Sequence, residues 1–228
     1  MASVRMATTK VVGAETGINS ENVRGGNTCD GALLTYVTGR EYLDVTPLWG
    51  AWRHIPGITG YEDDRPRKGK DRIVNGSDDV RGYEENGEGV VKMELKKDGL
   101  RAFKSWRFSE KGILCEGHGI CSDDPREVIT PVEEAWAADN ARLLPYDGRY
   151  VRAINGKIGY VIEAKPEDVR FSVEERSGDY RLTHPTQPSH PVKGKVFSLV
   201  ISHGIRPKDA GYRYRVIPNV TDLAAQTP

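Results

Sequence analysis

The chain is predicted to be all-β, a large antiparallel β-sandwich, and three observations predict it. Strand-like runs recur about every 8–12 residues along most of the length, with turn residues between them. The 25 Gly and 13 Pro are scattered rather than clustered, so they punctuate strands instead of forming a disordered tract. Helical stretches long enough for βαβ crossovers are missing, which removes a parallel α/β fold.

Taken in order, residues 32–38 run into the turn Gly39-Arg40, and 89–95 alternate ahead of the turn Lys97-Asp98-Gly99. Strands at 100–108 and 112–121 are separated by Ser109-Glu110-Lys111. Further strands are expected at 150–154, 158–164, 169–175, 195–202 and 212–218. Two short segments read as helical, 131–141 and 222–226. Residues 60–88, dense in charge and Gly, read as a long surface excursion between two sets of strands. The Pro-rich stretch 184–194 reads as a loop and not as a strand interior.

Of the 228 residues, Lys plus Arg and Asp plus Glu balance at 33 each. That balance gives no basic footprint for nucleic acid and no polybasic patch for a membrane. No stretch approaches the roughly 20 apolar residues of a membrane span, and residues 1–10 lack the apolar core of a signal peptide. Three cysteines, Cys29, Cys115 and Cys121, give no disulfide framework. Cys115, His118 and Cys121 stand three apart, as metal ligands can. Strand alternation, however, sends Cys115 and Cys121 to one face and His118 to the other, whereas zinc needs four convergent ligands. These are expected to be small residues buried in a sheet, with no metal.

Several segments, in order, resemble the central domain of polysaccharide lyase family 8, the family of the chondroitin and hyaluronate lyases. The first is Asn19-Ser20-Glu21-Asn22 with Arg24-Gly25 and Asp30-Gly31 after it. The second is Gly39-Arg40-Glu41-Tyr42, Pro47-Leu48-Trp49 and the run from Trp52 through Arg53, His54, Ile55, Pro56, Gly57 and Ile58 to Thr59. The third is Lys104-Ser105-Trp106 with Gly117-His118-Gly119-Ile120, and the fourth Ile158-Gly159-Tyr160-Val161. The last is Ser202-His203-Gly204 followed by Tyr212-Arg213-Tyr214 and Pro218. Each match is short, but five in the right order cover about residues 15–219.

The resemblance implies a galactose-mutarotase-like supersandwich, organised as an N-terminal extension (1–14), the lyase-type sandwich (15–219) and a C-terminal tail (220–228). It further implies that an α/α toroid precedes this domain in the family and that a smaller β domain usually follows it. The chain is therefore expected to be a fragment of a longer, secreted or periplasmic enzyme, and inactive alone. The family's reaction is β-elimination at a uronic acid, on an acidic polysaccharide. A base takes the proton α to the carboxylate, donors stabilise the developing charge, and an acid protonates the leaving oxygen. The Asn, His, Tyr and Arg with these roles are implied to sit on the toroid.

The sandwich's implied share of the cleft is a Glu followed shortly by an Asn, matched by Glu15 and Asn19 with one extra residue between them. Either a bulge absorbs that residue, or Glu21 is the relevant carboxylate, or the role is lost; the plainer reading makes Glu15 and Asn19 loop residues capping local backbone. Glu15 and Asn19 are the catalytic candidates, and Glu21, Asn22 and Arg24 the candidate substrate contacts.

Other residues invite functional readings and have plainer ones. Trp49, Trp52 and Trp106 could stack on sugars, but their strand-like settings favour core packing. His203 reads as a structural donor, and no nucleophile motif accompanies it for a triad. Asp63, Asp64, Asp78 and Asp79 could hold Ca²⁺, although a solvated acidic loop is the preferred explanation. Arg65, Arg67, Lys68, Lys70 and Arg72 could contact a sulfated or uronate polymer, yet their acidic neighbours weaken that field. A non-catalytic carbohydrate-binding or scaffold module is the competing reading. Sugar epimerisation would need a paired His and carboxylate in one cleft, and the sequence identifies no such pair.

Overall fold

The computed structural model describes residues 1–17, 21–49, 53–62 and 71–228. In chain order its strands are β1 (Ala2–Met6), β2 (Ala14–Thr16), β3 (Asp30–Thr35), β4 (Gly60–Tyr61), β5 (Asp71–Ile73), β6 (Val80–Glu85), β7 (Glu88–Lys97) and β8 (Leu100–Ser109). They continue with β9 (Gly112–Cys121), β10 (Glu127–Trp136), β11 (Arg142–Leu143), β12 (Tyr150–Asn155), β13 (Ile158–Glu163), β14 (Val169–Asp179), β15 (Pro191–Ile205) and β16 (Ala210–Pro218).

Alternation builds the larger sheet. In β8, Leu100, Ala102, Lys104 and Trp106 are buried while Arg101 is exposed and Phe103, Ser105 and Arg107 are half-buried, the period of two expected of a strand with one face on a core. β7 and β8 are joined by Asp98-Gly99, whose φ values of 53° and 80° make the tight turn with a twist that suits a hairpin. Asn86-Gly87, at 55° and 81°, does the same between β6 and β7. The eight strands of this sheet lie in the order β11-β12-β13-β16-β9-β8-β7-β6, and all its pairings are antiparallel.

A four-stranded sheet, β14-β15-β10-β4, packs against it. Between the two lies the main core, with Trp106, Tyr160, Tyr214 and Phe197 among its fully buried side chains. Each such side chain contributes about 1.5–3 kcal/mol of burial free energy. A second core forms beside the first at the smaller sheet. There Tyr42, Val45, Leu48, Trp49, Ile55 and Ile58 from the chain between β3 and β4 close over Ala135 and Val196. Two small sheets, β1-β3 and β2-β5, complete the described residues.

Three expectations are corrected. Residues 131–141 are not helical: 131–136 belong to β10, which is buried along nearly its whole length. Covered on both faces, β10 shows no alternation, and its Pro131 sits at a register shift where a missing N–H is tolerated. Residues 222–226 form a turn rather than a helix, with Gln226 N donating to Leu223 O at 3.2 Å. The excursion at 60–88 contains β4, β5 and β6, short or edge strands that carry little alternating signal.

A bulge in β9 alters the expected cysteine geometry. Phe103 pairs with His118 but Arg101 with Cys121, so three residues of β9 oppose two of β8 near Gly119, whose φ is +61°. The phase shift puts Ile120 into the core with Cys115 and turns Cys121 away from it. Burial pushes the Cys115 thiol up to about 12, and His118 stacks outside the core on Phe103, ring centroids 5.2 Å apart.

Candidate functional site

The segments that carry the family resemblance meet in three buried polar nodes. Lys104 is 2% exposed, and its Nζ donates to the carbonyls of Asp30 at 2.8 Å and Gly57 at 2.6 Å. Gly31, at φ +87°, lies so close that a Cβ there would come within 2.6 Å of the Trp106 ring and 2.8 Å of Lys104 Nζ. Asp30-Gly31, Pro56-Gly57 and Lys104-Ser105-Trp106 are therefore one packing unit. Burial pushes Lys104 down to about 7, against the pull of the Asp30 carboxylate.

In the second node Glu133 Oε2 accepts from Tyr42 at 2.9 Å and Tyr160 at 2.8 Å, while Oε1 accepts from the Glu134 amide. Burial pushes Glu133 up to about 7 even though both tyrosine hydroxyls favour its charge. In the third, Thr130 Oγ1 lies 3.0 Å from Thr59 Oγ1 and 2.9 Å from His203 Nε2. Burial, and then the Lys104 charge, lower His203 to about 4. His203 is thus a structural partner, as are Trp49, whose Nε1 donates to Glu134 O at 2.8 Å, and the fully buried Trp106.

On the opposite face of β10 the fully buried Glu134 carboxylate takes the Ser198 hydroxyl at 2.7 Å, the Arg176 guanidinium, and His54 Nδ1 at 3.2 Å. His54 Nε2 reaches Glu62 at 3.0 Å, and Arg170 joins Glu62 to Glu127. Burial works against a charge on His54, but the Glu134 and Glu62 carboxylates outweigh it and raise His54 to about 9. Sequence reasoning missed Glu133 and Glu134, because a segment taken for a helix places such residues on a wet surface.

Of the expected rim residues, Glu15 lies in β2, and Glu21, Asn22 and Arg24 lie on the chain between β2 and β3. Asn22, at φ +49°, donates its amide to Glu15 O at 2.9 Å, and Gly17 N donates to Glu21 O at 2.9 Å. The Glu15 carboxylate, half exposed, pairs with Arg72 at 3.3 Å. Arg24 Nε donates to Leu182 O and Val23 N to Thr183 O, both at 3.0 Å, docking the loop on the turn that follows β14. Glu21, Asn22 and Arg24 thus share one loop beside the strand residue Glu15, with Glu21 exposed and Asn22 and Arg24 half-buried.

Asn19 lies outside the described residues, as do Trp52, Asp63, Asp64, Arg65, Arg67, Lys68 and Lys70. Asp78 accepts from Thr9, and Asp79 pairs with Arg81 at 2.8 Å. Among the described residues no three His, Cys, Asp or Glu side chains are grouped to hold a metal ion, and no helix is long and apolar enough to cross a membrane.

The buried carboxylates Glu133 and Glu134 are closed by their own partners. Comparison with known proteins agrees with the packing. The profile of polysaccharide lyase family 8, super-sandwich domain, matches residues 1–227. Chondroitinase-AC of Pedobacter heparinus is 33% identical over 236 residues, which cover 96% of this chain and 33% of that protein. Hyaluronate lyase of Thermasporomyces composti is 26% identical over 246 residues, covering 96% of this chain and 31% of that one. A solved chondroitinase AC lyase structure superposes with a TM-score of 0.85 at 30% identity, over 97% of this chain and 34% of that one. The chain spans about a third of the length of these relatives. It belongs to polysaccharide lyase family 8, whose super-sandwich domain it forms.

Proposed function

We propose that this domain forms one wall of a cleft in which a uronic-acid-containing polysaccharide, such as chondroitin or hyaluronan, is cleaved by β-elimination. The observation that carries the reading is the family match over residues 1–227, joined by relatives named chondroitinase-AC and hyaluronate lyase. The base that takes the α proton and the donors that stabilise the developing charge belong to a helical α/α toroid domain. The sandwich contributes its rim: Glu15 and Asn19 orient the groups that do the chemistry, and Glu21, Asn22 and Arg24 contact the sugar. The protein works outside the cytoplasm, secreted or periplasmic, where such polymers are met.

A second reading, a non-catalytic carbohydrate-binding or scaffold module, draws on the closed state of the buried carboxylates Glu94, Glu133 and Glu134, each bonded to its own neighbours. Ultraviolet absorbance of the unsaturated uronate product separates the two. This chain incubated alone with chondroitin or hyaluronan yields no product, and the chain joined to a helical domain of the family does. Robust product from the chain alone would sink the assignment of the base to another domain. A folded joined protein that binds substrate without cleaving it would favour the scaffold.

A further inference from the structure

The rim loop leads to a surface that the rim reading does not use. Val23 and Arg24 are bonded to Thr183 and Leu182. Beyond that turn lies a cleft of about 490 Å³ lined by Asp44, Tyr180, His184 and His190. The Tyr180 hydroxyl donates to Asp44 Oδ1 at 3.0 Å, and its ring stands edge-on to His190, centroids 5.2 Å apart. A second cleft of about 470 Å³ shares Asp44 and His190 with the first and adds Trp136, Arg40 and Lys193.

Trp136 is held rigidly there. Its Nε1 donates to Leu43 O at 2.6 Å, and its six-membered ring lies against Gly194, where a Cβ would come within 2.6 Å of Cζ3. The half-buried indole is thus fixed by an edge and a glycine, and it lines the cleft. A fixed, amphipathic aromatic surface offers contact area at little cost in side-chain entropy and suits the apolar face of a sugar ring. The exposed Arg40 guanidinium has no ion-pair partner among the described residues. Lys193 pairs with Glu175 at 2.6 Å, and Asp44 is engaged by Tyr180. One open guanidinium beside a fixed indole favours an anionic ligand, because guanidinium matches carboxylate and sulfate oxygens in bidentate geometry.

We infer that the two clefts form one groove that binds an acidic oligosaccharide, with a sugar ring stacked on Trp136 and its anionic group on Arg40. The choice of an acidic polymer rests on the proposed function, whereas the groove itself rests on its own geometry. Calorimetric titration of the chain with a chondroitin sulfate hexasaccharide tests it, with a neutral cellohexaose as the control. Trp136→Ala weakens chondroitin binding about tenfold, Trp136→Phe less, and Arg40→Gln about threefold to fivefold. Arg40 is exposed, so Arg40→Gln keeps the fold and stays informative if the tryptophan variant does not. Gly194→Ala, which pushes the indole from its seat, also weakens binding. The neutral hexasaccharide binds at least tenfold more weakly. Absence of binding by the parent chain, or unchanged affinity in both Trp136→Ala and Arg40→Gln, overturns the groove. If Glu21→Gln leaves affinity unchanged while Trp136→Ala lowers it, the groove stands and the rim reading falls.

Discussion

The Lys104 ammonium ends on two backbone carbonyls inside the core, and that single side chain joins three stretches of sequence far apart in the chain. Lys104→Met fits the volume but leaves both carbonyls without a donor. It is expected to cost about 2–4 kcal/mol in urea unfolding, within the range for buried polar groups left unsatisfied. An unchanged unfolding midpoint would contradict the node. His54 makes a prediction in pH. Its folded value, about 9, stands above the ordinary 6.5 because Glu134 and Glu62 overcome the cost of burial. A raised value stabilises fully below about 6.5, and the contribution is lost as pH rises through about 9. The stability gap between the parent and His54→Gln therefore shrinks between about pH 6 and pH 10, by on the order of 3 kcal/mol at most. A gap that stays constant across that range removes His54 as a charged bridge.

At the scale of the element, legibility followed solvation. β8 could be read from sequence because one face meets the core and the other is more open, which writes a period of two. Hairpin turns such as Asp98-Gly99 were legible because their left-handed φ demands those residue types. β10 was not, because it is covered on both faces and its charged Glu133 and Glu134 are paired inside, so the sequence imitates a helix surface. That one misassignment hid both buried carboxylates and Trp136. β6, an exposed edge strand, was hidden for the opposite reason, as Val80 meets the core and the other five residues are exposed. Glu134→Ala strands Arg176 and His54 beside an empty site and is expected to destabilise by about 3–5 kcal/mol, as in other buried pairs that lose one partner. Thermal unfolding at neutral pH measures this, and a loss under about 1 kcal/mol would show the cluster to be dispensable.

Across the whole molecule, the residues that make the family recognisable are mostly those that fasten it. Lys104, Gly31 and Gly57 join β3 and the chain before β4 to the large sheet, while Tyr42 and Tyr160 meet on Glu133 across the sandwich. Family identity was therefore legible from sequence, since packing units leave short, ordered, residue-specific matches. The rim was legible only as a loop, because Glu15, Glu21, Asn22 and Arg24 obey no period and their partners, Arg72 and Leu182, lie far along the chain. The interior fastens the fold, and the rim is the proposed ligand-facing part; this division of labour follows from the proposed function. It is tested most directly by measuring kcat/KM and Tm together on the domain joined to a helical domain of its family. Lys104→Met is expected to lower Tm while the folded fraction keeps its kcat/KM, and Glu21→Gln to lower kcat/KM at least tenfold with Tm unchanged. The reverse pattern, activity lost at Lys104 with stability intact or full activity in Glu21→Gln, would contradict it.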